Sequence, residues 1–226
     1  LNTASALIRM QTDLKLYNVM MGREVNFRPT DLSSVLKYHN PTQYFERLFR
    51  PGDEAIPKII AQSKPILNLT IHNILYISDP IWNGLGDRCV YIEVVRHPLY
   101  MVRQQELNMN KLVNDVRDFI IYYEYKDKKY PWWTHGWENE FEGSSGIEQS
   151  VLYINQMTQR TEQAKEKLRD KYQANILTIP FEMLALDPEP WIATIASALG
   201  TDITDKTRKV MFAQKDPRKK IGQGLD

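Results

Sequence analysis

Residues 90–102 read VYIEVVRHPLYMV, and their character changes abruptly at Arg96. Val90–Val95 is β-branched and apolar, as a largely buried strand requires. Arg96 then supplies a permanent cation. Pro98 sets a backbone torsion suited to the first turn of a helix, where a proline loses no needed hydrogen bond. A strand that hands over directly to a helix, with an arginine at the junction, constrains the chain to an α/β arrangement. It also places a guanidinium beside free helix amides, a combination that favours an anion. The alternative use of Arg96 is an ion pair with a carboxylate such as Glu182.

The rest of the chain supplies the other pieces of such a fold. Thr3–Met21 has apolar residues near a helical spacing, Asn2 or Thr3 as N-cap, and Gly22 as a stop. Between 23 and 63, Pro29, Pro41, Pro51 and Pro57 divide the chain into short helices and loops. Ile66–Ile71 (ILNLTI) and Ile176–Ile179 read as two further strands. Residues 72–89 hold a short helical segment and the turn Asn83–Asp87, and suit a crossover between parallel neighbours. A helix is expected from Pro98 to about Ile121. A second opens on the capping box Ser145-Gly146-Ile147-Glu148, with Ile147, Val151, Ile154, Met157, Ala164 and Leu168 along one side. Asp187 and Pro188 start another, ended by Gly200. Tyr122–Phe141 is dense in aromatics and poor in periodicity, and reads as an excursion on the surface or over a cleft.

At 226 residues, 42% hydrophobic and 25% charged, the chain is expected to form one domain spanning 1–226. A formal net charge of +1 gives no global field toward nucleic acid or a membrane, so an anion site must be a local cluster. Cys89 is the single cysteine, which excludes an internal disulfide and a cysteine-built zinc site, and its place beside a strand suggests inert burial. No apolar run reaches the ~18 residues of a membrane span, and no charged-then-apolar leader is visible. The expected compartment is the cytoplasm, or the Golgi lumen if an upstream anchor precedes this stretch. Asn68-Leu69-Thr70 has the form of a glycosylation sequon but falls in an expected buried strand.

Three expected strands end in polar residues: His72 after Ile71, Arg96 after Val95, and Pro180-Phe181-Glu182 after Ile179. In an open parallel sheet these ends share the edge where ligands bind. Imidazole titrates near neutral pH, which suits His72 to take a proton from an acceptor. His97 reads as a loop residue satisfied by neighbouring backbone. Lys215–Gly224 (KDPRKKIGQG) gathers four cations beside two glycines and can fold over a phosphate. Trp132, Trp133 and Trp137 lie among four tyrosines, and such rings can either wall an acceptor site or pin their own loop to the body.

Taken together these segments resemble the sulfotransferase family, which moves a sulfuryl group from PAPS (3′-phosphoadenylyl sulfate) to a hydroxyl or amine. Val90–Gln104 is similar to the family's strand, loop and helix at the 3′-phosphate, with Arg96 at the phosphate-contacting arginine and Gln104 where a serine is usual. Thr70-Ile71-His72 is similar to the segment of the catalytic histidine, with Thr70 in place of a common lysine. Ile176–Gly200 is similar to the family's strand, Tyr-Glu-Asp-Leu turn, Asp-Pro and helix, with Phe181 and Met183 as departures. Arg218-Lys219-Lys220 is similar to the Arg-Lys-Gly of the last PAPS loop.

The resemblance implies a three-layer α/β sandwich with a mainly parallel, P-loop-like central sheet. It further implies His72 as general base, and Arg96, Gln104, Arg218, Lys219 and Lys220 at the 3′-phosphate. PAPS is then the donor and PAP (adenosine 3′,5′-bisphosphate) the product, without a metal. The family's glycine- and serine-rich phosphosulfate loop should precede Thr3–Met21, so a truncated start is expected, with Asn2, Thr3 and Ser5 as its remnants and Thr3 and Ser5 on the 5′ side. Trp132, Trp133 and Trp137 are the candidates to face a ring-bearing acceptor, a small molecule or a glycan. Two other classes share the cationic edge. One is a P-loop kinase or other nucleotide phosphotransferase, which needs a Gly-Lys-Ser/Thr loop not visible here. The other is a non-catalytic nucleotide-binding module.

Overall fold

In the computed structural model of the chain, residues 2–21, 42, 49, 52–70, 75–112 and 120–221 are described. They fall into two compact units, one drawn from residues 1–74 and 78–86, the other from 75–77 and 87–226.

The first unit is helical among its described residues: α1 (Thr3–Met20), α2 (Gly52–Ser63) and α3 (Asp79–Leu85). Asn2 caps α1, its side-chain oxygen accepting from the Ser5 N–H at 2.8 Å. α1 packs on α3 where side chains are smallest. Ser5 is fully buried, and its hydroxyl accepts from Asn83 Nδ2 at 2.9 Å. Two expectations change here. Pro57 lies inside α2 instead of breaking it, the helix losing one backbone hydrogen bond there. Residues 66–70 form no strand, and Ile71 lies outside the described residues. A strand persists only with a ladder partner, and no strand of this unit is available among its described residues. Asn68 is consequently exposed rather than buried, so packing does not exclude an oligosaccharide on it.

The second unit is α/β. Its strands are β1 (Val90–Val95), β2 (Tyr122–Tyr125), β3 (Lys128–Pro131) and β4 (Asn175–Pro180). Its helices are α4 (Pro98–Leu112), α5 (Glu138–Glu142), α6 (Gly146–Tyr172), α7 (Phe181–Leu186), α8 (Pro188–Ala198) and α9 (Asp205–Ala213). β1 and β4 pair in parallel, with Val90 opposite Asn175 and Val95 opposite Pro180. This is the parallel pairing the sequence called for, although the expected neighbour of β1 was Ile66–Ile71. β2 and β3 form an antiparallel hairpin, with Lys126 and Asp127 at positive φ in its turn. Tyr122–Phe141 is therefore an ordered hairpin, a 3-10 turn and a short helix, not an irregular excursion.

The capping box forms as read: the Ser145 N–H and hydroxyl both donate to Glu148 Oε2, at 2.8 and 2.7 Å. The buried side of α6 differs in part, since Ile154, Met157 and Leu168 are buried whereas Ile147 and Val151 are exposed. The core gathers Met109 of α4, Trp133 and Trp137, and Tyr153, Ile154 and Met157 of α6. Cys89 is half-buried, and burial pushes its thiol pKa up, which favours the protonated form. Among the described residues no helix is long and apolar enough to cross a membrane.

Candidate functional site

The parallel register puts Val95 beside Pro180, so the residues that follow both strands emerge at one edge. Arg96 follows β1, and Phe181 and Glu182 open α7. The Arg96 guanidinium carbon lies 5.2 Å from the centre of the Phe181 ring and 6.0 Å from that of Tyr100. Arg96 Nη1 donates to Gln104 Oε1 at 3.3 Å across the first turns of α4. Because Gln104 accepts there, its amide nitrogen remains a donor for a ligand.

The chain returns to this edge after α9. The Arg218 N–H donates to the Ala185 carbonyl at 2.7 Å, which pins the C-terminal segment to the end of α7. Its guanidinium carbon lies 5.5 Å from the same Phe181 ring, and its Nε lies 3.4 Å from Asp216 Oδ1. Two guanidinium groups from distant parts of the unit thus approach the Phe181 ring. Phe181 was not among the expected site residues. Its only signal in the sequence was an aromatic ring at a strand-to-helix junction.

Glu182 supplies the edge with a negative group. Its Oε1 accepts from the His97 backbone N–H at 3.1 Å and lies 3.8 Å from Arg96 Nε. The carboxylate therefore occupies the N-terminal approach to α4, where the helix amides favour negative charge. His97 itself caps the helix, its Nδ1 accepting from the Leu99 N–H at 3.3 Å, in keeping with a loop residue tied to backbone.

Arg96 thus meets Gln104, and Arg96 and Arg218 each approach Phe181, while Lys219 and Lys220 follow as exposed cations. Trp133 and Trp137 are core residues, 6% and 4% exposed; Trp137 Nε1 donates to the Trp133 carbonyl at 2.8 Å. Neither offers a face to an acceptor in this structure, because both rings lie in the core with Met109 of α4 and Tyr153, Ile154 and Met157 of α6. Trp132 is half-buried and stacks on Tyr76 at 5.5 Å. Thr3 is exposed in the first unit, and Ser5, being fully buried, presents no surface to a phosphate. His72 lies outside the described residues.

Comparison of the chain with protein-family models, curated proteins and solved structures yields no match.

Proposed function

We propose that the protein is a PAPS-dependent sulfotransferase whose Arg96, Gln104 and Arg218 hold the 3′-phosphate of the donor. The observation that carries this reading is the convergence of Arg96 and Arg218 on Phe181 at the carboxyl end of a parallel strand pair. Both arginines lie in segments that resemble the family's phosphate-binding elements. Two planar donor forks and a helix N-terminus suit a phosphomonoester, and Lys219 and Lys220 extend the positive field toward solvent.

In this reading His72 removes the acceptor proton as the acceptor oxygen attacks sulfur in line, breaking the bond from sulfur to the phosphate oxygen and releasing PAP. Such a transfer draws on positioning and charge stabilisation. Trp132 is the tryptophan of the hairpin region left to meet a ring-bearing acceptor. Titration calorimetry with PAP, ATP and magnesium tests the reading. Metal-independent PAP binding, with sulfuryl transfer lost in His72→Ala at near-normal PAP affinity, supports it. ATP binding that requires magnesium, with no response to PAP, assigns the edge to a phosphotransferase instead. PAP binding without transfer to any acceptor leaves a binding module.

A further inference from the structure

We infer that Glu182 is a built-in competitor for the anion site: its carboxylate engages the donors that a phosphate would use and must leave before phosphate binds. This rests on the reading of Arg96 as an anion-binding residue. A single oxygen, Glu182 Oε1, faces both the His97 N–H, at 3.1 Å, and Arg96 Nε, at 3.8 Å. A bound phosphate oxygen would need those same donors, one from the helix N-terminus and one from the arginine. The two anions cannot share them, because like charges so close repel.

The local architecture permits the exchange. Glu182 projects from the first turn of α7, and its side chain is 19% exposed. Rotation about its own side-chain bonds can carry the carboxylate to water while β4 and α7 stay in place. Arg96 meanwhile keeps its contacts with Gln104 and the Phe181 ring, so the guanidinium remains oriented after Glu182 departs. With Glu182 in place the Arg96 charge is compensated, and the apparent affinity for phosphate is the intrinsic one reduced by the fraction of time Glu182 is turned away.

Two variants separate occupancy from simple charge. Glu182→Gln removes the negative charge at nearly constant length. Glu182→Asp keeps the charge but withdraws it by one methylene, beyond reach of the His97 N–H. PAP affinity is measured by calorimetry for the parent, both variants and Arg96→Ala, with thermal melts confirming that each is folded. Competition predicts that both Glu182 variants bind PAP about three- to tenfold more tightly than the parent. Tighter binding by Glu182→Gln alone would overturn it in favour of general repulsion. Weaker binding by both would overturn it by making Glu182 a support for Arg96. If neither the parent nor Arg96→Ala binds PAP, the anion-site reading fails first and the competitor falls with it.

Discussion

Lys165 Nζ stands 2.5 Å from Glu93 Oε2, joining the buried side of α6 to the middle of β1. Glu162 approaches the same ammonium at 2.7 Å, and Thr178 of β4 donates to Glu93 Oε2 at 3.0 Å. Burial alone would lower the Lys165 pKa; the hydrogen bonds to Glu162 and Glu93 outweigh it and raise the pKa, so the group stays charged. Removing one member of such a pair strands the other charge. Lys165→Met should therefore destabilise the protein by about 3–5 kcal/mol, whereas Lys165→Met combined with Glu93→Leu should recover much of that loss. Urea unfolding of the parent and the two variants checks this, and a double variant no better than the single would show that the pair itself is stabilising.

Gly84 marks the close contact of α1 and α3. A Cβ at Gly84 would lie 2.6 Å from the Ser5 carbonyl oxygen, a backbone atom that cannot move aside without shifting α1. Gly84→Ala should cost about 1–3 kcal/mol despite the better helix propensity of alanine. Hydrogen exchange of the α1 amides reports the loss, and unchanged protection would show that the helices separate freely.

The aromatic hairpin region should divide by burial. Trp133→Ala empties a core site and is expected to cost about 3–5 kcal/mol. Trp132→Ala removes a stacked, half-exposed ring and should cost about 0.5–1.5 kcal/mol. Under the proposed function, Trp132→Ala also raises the acceptor KM while leaving PAP affinity unchanged. Equal melting temperatures for the two variants would contradict the burial difference.

Arg96 can be weighed without turnover. Loss of its charge-assisted contact should weaken PAP binding by about 2–4 kcal/mol in Arg96→Ala, and Arg96→Lys should restore only part, since an ammonium lacks the planar fork. Parent-like PAP affinity in Arg96→Ala would move the site elsewhere.

Titration of the hairpin region and the α6 cap sets a pH profile for stability. The Tyr123 hydroxyl and backbone N–H groups, including that of Gly136, hold Glu138 below the usual carboxylate range, and Ser145 does the same for Glu148. A depressed folded pKa gives stability that is present above the ordinary carboxylate range and lost as pH falls through the folded values. At the other end, burial and a hydrogen bond to Glu142 push Tyr130 up to about 12, so its contribution is lost as pH rises from about 10 through that value. Urea midpoints against pH should fall at both ends. Glu138→Gln should flatten the acid side and Tyr130→Phe the alkaline side; slopes identical to the parent would remove these groups from the profile.

The local features of the chain were legible in its sequence because their causes are local. A β-branched run made β1, Ser145 with Glu148 made the cap of α6, Pro188 and Gly200 bounded α8, and Arg96 fell at a strand-to-helix junction. Each depends on residues within a few positions of one another, where propensity and capping act. Partnership was decided only by the tertiary structure. Residues 66–70 look like a strand but lack a ladder partner among the described residues of their unit. Ile147 and Val151 share a helix with Ile154 yet face solvent, and Trp133 belongs to the core despite a sequence that reads as irregular. Phe181 came to lie near both Arg96 and Arg218 because Val95 pairs with Pro180 and the Ala185 carbonyl holds Arg218. That juxtaposition of distant segments is fixed by register and packing, which no short stretch of sequence encodes.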